Sequence, residues 1–292
     1  MQLTINDGEV KAMISLLDDT DQEVYRHIEE KLVKLGREVI PMLEDAWSQA
    51  FDAVLQQRIE NIVHKIQFET LLEDLKLWIH TGDHDLLAGA ILISRYQYPD
   101  LDEEKIYSLI TQIRKEIWLE LNESLTSLES VNIINHVLFN RYGFSGNTTN
   151  YHAPQNSYIN CVIESKKGNP LALSVIYQVI CQQLGLPVFG VNLPEHFILA
   201  YLDDTGNDNG KVLFYINAFS KGSIFGKQDI DQFVKRLNLD SQASFYNPCP
   251  NREMIQRMVR NLLYSYQKLG DTEKVNELNE MILLFGSGSS TI

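Results

Sequence analysis

The side chains that could do nucleophilic chemistry are a few thiols and hydroxyls, and the imidazole that could serve them stands at the head of an apolar run, where a histidine is most often a satisfied core residue. His196 follows Glu195 at the head of the apolar run HFILAYL (196–202). A thiol becomes a nucleophile when a helix N-terminus or a cation lowers its pKa, and a hydroxyl when a base lies within reach. Cys161 and Cys181 fall on helical faces, where a free cysteine behaves as a small core residue. Neither they nor Cys249 occupies a helix-N-terminal position, so none is expected to react as a nucleophile. Ser174 lies one turn into a helix with no base near it in sequence. Three cysteines without C-x-x-C spacing make neither a disulfide framework nor a zinc site. His80, Asp83, His84 and Asp85 are metal-ligating types. Gly82-Asp83 between two apolar helical patterns reads instead as a turn, which attracts such residues without a metal. No metal or cofactor is expected.

The elements that must position His196 are legible on either side of it. Asn156-Ser157 opens a short amphipathic helix carrying Ile159, Val162 and Ile163. Pro170 suits a first helical position, where its missing N–H would have no partner anyway. Leu171, Val175, Ile176, Val179, Ile180 and Leu184 then recur at helical spacing, one face is expected to be buried, and Gly185 stands at a left-handed C-cap. Pro187–Val191 and His196–Leu202 read as strands, with Pro194-Glu195 a turn between them. Asp203–Gly210 is a polar hairpin loop, and the chain returns as a strand over Lys211–Asn217.

GNPLALSVIYQVICQQLGLPVFGVNLPEHFILAY (168–201) resembles the SirB-type branch of the transglutaminase-like superfamily, with its G-x-P-x-x-L, LGLP and P-x-HF pattern. The resemblance covers Asn156–Phe219 and implies a papain-like core of a buried helix against an antiparallel sheet. In active members of that superfamily a Cys opens the helix, a His opens the next strand, and an Asp on the strand after it orients the His. The matching positions here are Pro170, His196 and Asn217. Proline has no nucleophile, whereas a carboxamide can still orient an imidazole. The cleft candidates that follow are Asn156, Ser157, Asn169, Glu195, His196 and Asn217.

The rest of the chain reads as helix, giving an α+β fold that is mostly α. Thr20 with Glu23 forms a capping box before Val24, Ile28, Leu32 and Leu35, Gly36 ends that helix, and Pro41 opens the next, which carries Leu43 and Trp47. The segment ISLLDDTDQEVYRHIEEKLVKLGREVIPMLEDAW resembles a HEAT repeat. Helices are expected over 54–66, 71–79, 86–96, 106–121 and 131–142, and RYGFSGNTTNY (141–151) is the aperiodic passage that follows. Arg252–Leu269 and Thr272–Leu284 form a helix pair resembling one tetratricopeptide unit, and GSGSSTI has the composition of a flexible tail. The expected domains are 1–142 (HEAT-like helices), 143–240 (transglutaminase-like core), 241–285 (helix pair) and 286–292 (tail).

Composition narrows the partners. The formal net charge is −14 over 292 residues. Residues 1–150 hold 26 acidic against 13 basic side chains, so nearly all of the excess lies in the helical half. Nucleic acid is excluded as a partner, since phosphate binding needs clustered Lys and Arg. No signal peptide or membrane span is apparent, and a reducing cytoplasm suits three unpaired cysteines. The reading is a non-catalytic transglutaminase-fold protein that binds a protein or peptide, with a basic partner surface fitting the acidic half. The alternative is an active cysteine- or serine-type hydrolase or acyltransferase using His196 with an atypical nucleophile.

Overall fold

The computed structural model describes residues 6–81, 85–203 and 211–286. Gly82–His84 of the His/Asp cluster, residues 204–210 of the hairpin loop and residues 287–292 of the tail lie outside them. The chain divides into two units, residues 1–77 and 78–292.

The first unit contains α1 (Asp7–Ser15), α2 (Gln22–Leu35), α3 (Ile40–Gln49) and most of α4 (Ala53–His80). Leu17, Leu32, Val39, Leu43 and Ile62 meet in its core. Asp21, not Thr20, caps α2. Its carboxylate accepts the Glu23 N–H at 2.8 Å, while Asp19 accepts the N–H of Asp21. Gly36 ends α2 at φ +71°, and Trp47 is exposed rather than part of the buried stripe. The two helices expected over 54–66 and 71–79 are one helix. Nothing between them breaks it, for Ala53–His80 holds no Gly or Pro, and the Thr70 hydroxyl donates back to Ile66 O at 2.7 Å.

The second unit begins with α5 (Leu86–Arg95), α6 (Glu103–Glu120) and α7 (Ser127–Asn135), which continues as a π-helical turn over His136–Arg141. Asp85 caps α5 by accepting the Ala88 N–H at 3.0 Å. After β1 (Ser145–Gly146) come α8 (Ile159–Ser165), β2 (Lys167–Gly168) and α9 (Pro170–Gln183). β1 pairs with β2 in parallel, Ser145 opposite Lys167, which ties the aperiodic passage to the start of α9.

Around α9 the unit is built. Every residue from Pro170 to Cys181 is buried, so the helix is enclosed on all sides and not along one face. Its sequence permits this, since PLALSVIYQVIC is apolar except for Ser174 and Gln178, which share one face and bond inside the fold to Pro170 O and Asn251 Oδ1. α5, α6 and α8 pack on it, and the sheet covers another side. That sheet is a meander of β3 (Val188–Val191), β4 (Ile198–Leu202), β5 (Val212–Asn217) and β6 (Ser223–Phe225), antiparallel throughout, with Val191 opposite Ile198 and Leu199 opposite Ile216. Its other face closes on α10 (Lys227–Arg236) through Ile198, Ala200, Tyr215, Ile230 and Val234. α11 (Asn251–Leu269) and α12 (Thr272–Leu284) pack on each other, and α11 also packs on α5 and α9. The fold is α+β and mostly helical, with one small antiparallel sheet.

Candidate functional site

The N-terminus of α9 is held by a chain of amide hydrogen bonds. Asn169, the N-cap, accepts the Ala172 N–H at 2.8 Å and donates from Nδ2 to Ser157 Oγ, also at 2.8 Å. Its own N–H donates to Asn156 O at 3.1 Å. Asn156 in turn donates to the carbonyls of Asn150 and Tyr151 and accepts from Asn147. Asn156, Ser157 and Asn169 are all buried, so these bonds fix the loop before α8 against the helix end with little competition from water. Pro170 follows as the first helical residue, as its fixed φ favours.

Beside this end opens a cavity of about 570 Å³. Asn169, Pro170 and Leu171 form one wall, with Ser157 next to them; the turn Glu195, His196 and Phe197 forms another. Tyr151, His152 and Ala153 reach it from the preceding loop. The remaining wall is Arg257, Asn261, Tyr264 and Ser265 of α11, which the residues around the motif did not foreshadow. The signal was their spacing at i, i+4, i+7 and i+8, a polar face on a helix whose Met254, Ile255, Met258, Val259 and Leu262 are buried. Asn156 and Asn217 are not in the lining. The first braces the loop, and the second stands by the imidazole.

His196 precedes β4 by two residues instead of opening it. Glu195 before it turns the backbone at φ +56°, and the His196 N–H closes the turn on Leu193 O at 3.2 Å. The ring lies edge-on to Phe219, 6.5 Å between centroids, with Phe233 6.3 Å away. Burial lowers the pKa of the imidazole, a hydrogen bond with the Asn217 side chain works in the opposite sense, and the positive charge of Arg257 lowers it again. The ring is thereby biased toward its neutral form.

Arg257 is the most heavily constrained charge of the cleft. One guanidinium nitrogen donates to Asn192 Oδ1 and, at 2.8 Å, to Leu193 O, and the group lies over the Phe197 ring at 5.6 Å. Burial lowers its pKa to about 10. None of its hydrogen bonds goes to a carboxylate among the described residues, and it takes part in no ion pair there.

No cysteine lines the cavity. Burial raises the pKa of all three thiols, that of Cys249 to about 12. The serine hydroxyls near the site bond to backbone or amide groups, none of them to the imidazole among the described residues. Ser174, fully buried, donates to Pro170 O at 2.8 Å; Ser265 donates to Asn261 O at 2.9 Å; Ser157 holds Asn169. The structure thus brings together Ser157, Asn169, Pro170, Glu195 and His196 around one cavity, without an activated nucleophile among them.

The model of the transglutaminase-like superfamily matches residues 104–260, which include β1–β6, α8, α9 and the cleft lining from Tyr151 to Arg257, but not Asn261, Tyr264 and Ser265. A UPF0162 protein of Xylella fastidiosa (strain 9a5c) is 31% identical over 222 residues, 72% of this chain and 76% of the relative. F-box only protein 21 of Mus musculus is 24% identical over 249 residues, 76% of this chain but 39% of that protein. A UPF0162 protein of Vibrio cholerae is 24% identical over 150 residues, 51% of this chain and 53% of the relative. No solved structure matches.

Proposed function

The chain belongs to the transglutaminase-like superfamily, and from that premise we propose that it is a non-catalytic member whose cleft binds a peptide segment of a partner protein. The observation that carries this reading is Pro170 at the head of α9. Pro170, which lines the cavity together with His196, has no group to attack an acyl carbon, and no thiol or serine hydroxyl of the described residues is hydrogen-bonded to the imidazole. What remains is a recognition surface. Tyr151 and Tyr264 present exposed rings, and His152 stands between them with ring centroids at 5.1 and 5.6 Å. Aromatic rings above a polar floor suit an extended peptide better than a small polar metabolite.

The kinship with F-box only protein 21 sequences favours a role in protein interaction. The SirB-type pattern of residues 168–201, the HEAT-like helices before the core and the tetratricopeptide-like pair after it are part of the same proposal, as are the four expected domains. So is a cytoplasmic location; no described helix is long and apolar enough to cross a membrane. The acidic residues of the N-terminal half would draw a partner with a basic surface.

The test is to incubate the full chain with casein, with and without monodansylcadaverine, and follow the protein by mass spectrometry. Neither cleaved nor amine-tagged casein is expected. A product that forms with the native chain and vanishes with His196→Ala, at unchanged melting temperature, assigns the hydrolase or acyltransferase reading instead.

A further inference from the structure

Arg257 reaches the cleft from α11, outside the sequence pattern that first drew attention to this site. Taking a guanidinium out of water costs several kcal/mol unless an anion and good hydrogen bonds compensate it. Here the compensation is partial. Asn192 and Leu193 supply neutral oxygens to one nitrogen, and Phe197 supplies a ring face. The fork of a guanidinium is shaped for two parallel bonds to an oxyanion, and no carboxylate of the described residues makes them.

Two further residues with donor groups line the same cavity. The Leu171 N–H is at the second position of α9, where it has no intrahelical partner; Pro170 has no N–H, and the Ala172 N–H is already taken by Asn169. His196 lines the cavity as well and feels the charge of Arg257. Glu195, exposed at the opposite lip, sets a limit on the anion. One fixed cation opposed by one carboxylate suits a singly charged oxyanion better than a doubly charged phosphate.

We infer that the cleft recognises a carboxylate of its peptide ligand, seated on the guanidinium of Arg257, with the neighbouring ligand side chain covered by Tyr151 and Tyr264. This rests on the peptide-binding reading and specifies its ligand. The carboxylate has two possible sources, a chain terminus or an Asp or Glu side chain, with the same chemistry toward Arg257.

The experiment uses the full chain immobilised and three pools of N-acetylated random pentapeptides, read by mass spectrometry of what is retained. The first pool has free C-terminal carboxylates and no Asp or Glu, the second is the same pool as C-terminal amides, and the third is amidated with one internal Asp or Glu. Retention of the first or third pool at least tenfold above the second is expected, and which of the two it is identifies the source. Arg257→Lys keeps the charge and loses the fork, and should cut that retention about tenfold with the circular dichroism spectrum unchanged. In the native chain, 10 mM acetate should compete and 10 mM N-methylacetamide should not, a comparison that needs no variant.

Equal retention of the first and second pools, abolished by Ser265→Trp in the cavity wall, would overturn the carboxylate inference and leave peptide binding standing. Retention of none of the pools would overturn both. Competition by inorganic phosphate at concentrations a hundredfold below acetate would also overturn it, by assigning the site to phosphoryl groups.

Discussion

Removing the side-chain amide of Asn169 should loosen the whole unit built on α9, by an amount the hydrogen bonds allow to be worked out. In Asn169→Ala the Ala172 N–H loses its cap, a change worth about 0.5–2 kcal/mol. Ser157 Oγ, in a residue 2% exposed, loses the Nδ2 donor it accepts from, and a buried polar atom left unpaired costs about 1–3 kcal/mol. The two losses together come to about 1.5–5 kcal/mol. Because the chain divides into two units, a single unfolding curve would mix them. Amide hydrogen exchange of peptides within 159–183 reports on α8 and α9 alone. Amides there that exchange only by global opening should do so about 10- to 4000-fold faster in the variant, at tenfold per 1.4 kcal/mol. Asn169→Asp keeps an acceptor for Ala172, places a carboxylate at a positive helix end, and lets the Ser157 hydroxyl turn to donate, so it should recover most of the protection. An acceleration under threefold in Asn169→Ala, or an equal one in Asn169→Asp, would show that the cap and the Ser157 bond do not hold this helix end.

His196 supplies a pH dependence of known sign. Its folded pKa lies below the unfolded value of about 6.5, so between the two the unfolded chain binds more protons, and stability falls as the pH drops from about 6.5 through the folded pKa. The melting temperature of the native chain should therefore decline more steeply from pH 7.5 to pH 5 than that of His196→Gln, and parallel curves would contradict the assignment. The raised thiol pKa values predict sluggish chemistry: iodoacetamide at pH 7.5 should label Cys161 and Cys249 slowly and Cys181 only after unfolding. Rapid stoichiometric labelling of Cys161 or Cys181 in the folded chain would place a reactive thiolate where the structure puts none.

What the sequence made legible was what local chemistry dictates. Pro170 at the first helical position and Gly185 at φ +71° bracket α9 because each residue type answers a backbone need found within a few residues. The strands β3 and β5 announced themselves by β-branched and aromatic residues. The illegible parts depended on the alternatives a backbone can choose between. Thr20 and Asp21 are both good caps, and only the geometry selects Asp21. At 67–70 the apolar period lapses, yet helix persists, since a polar interval with no Gly or Pro does not by itself end one. Enclosure of α9 on every side was hidden behind a helical periodicity that also fits burial along one face, with Ser174 and Gln178 together reading as the exposed side until the fold shows both buried. The cleft wall from α11 was the least legible. Arg257 follows His196 by some sixty residues, and a face of Arg, Asn, Tyr and Ser reads equally as solvent-exposed until the fold shows what it confronts.

That wall alters the electrostatic logic of the site. A catalytic thiolate at the head of a buried helix draws its stabilisation from the N-terminal end of the helix dipole, so free N–H groups there must face the reacting atoms. In this chain those groups are largely spent. Pro170 removes one donor, Asn169 takes the Ala172 N–H for itself, and of the first three helical positions Leu171 alone keeps an N–H without a helical or capping partner. The positive charge enters from the opposite side, through Arg257, fixed by Asn192 and Leu193 at a distance from which it also lowers the pKa of His196. A base kept neutral by a neighbouring cation could still take a proton, but a guanidinium beside it would hold an incoming carboxylate and would do little to lower the barrier of an amide carbonyl that has no nucleophile to meet it. A positive charge supplied from α11, with the head of α9 capped by Asn169 and Pro170, is the arrangement that the proposed ligand-holding role requires.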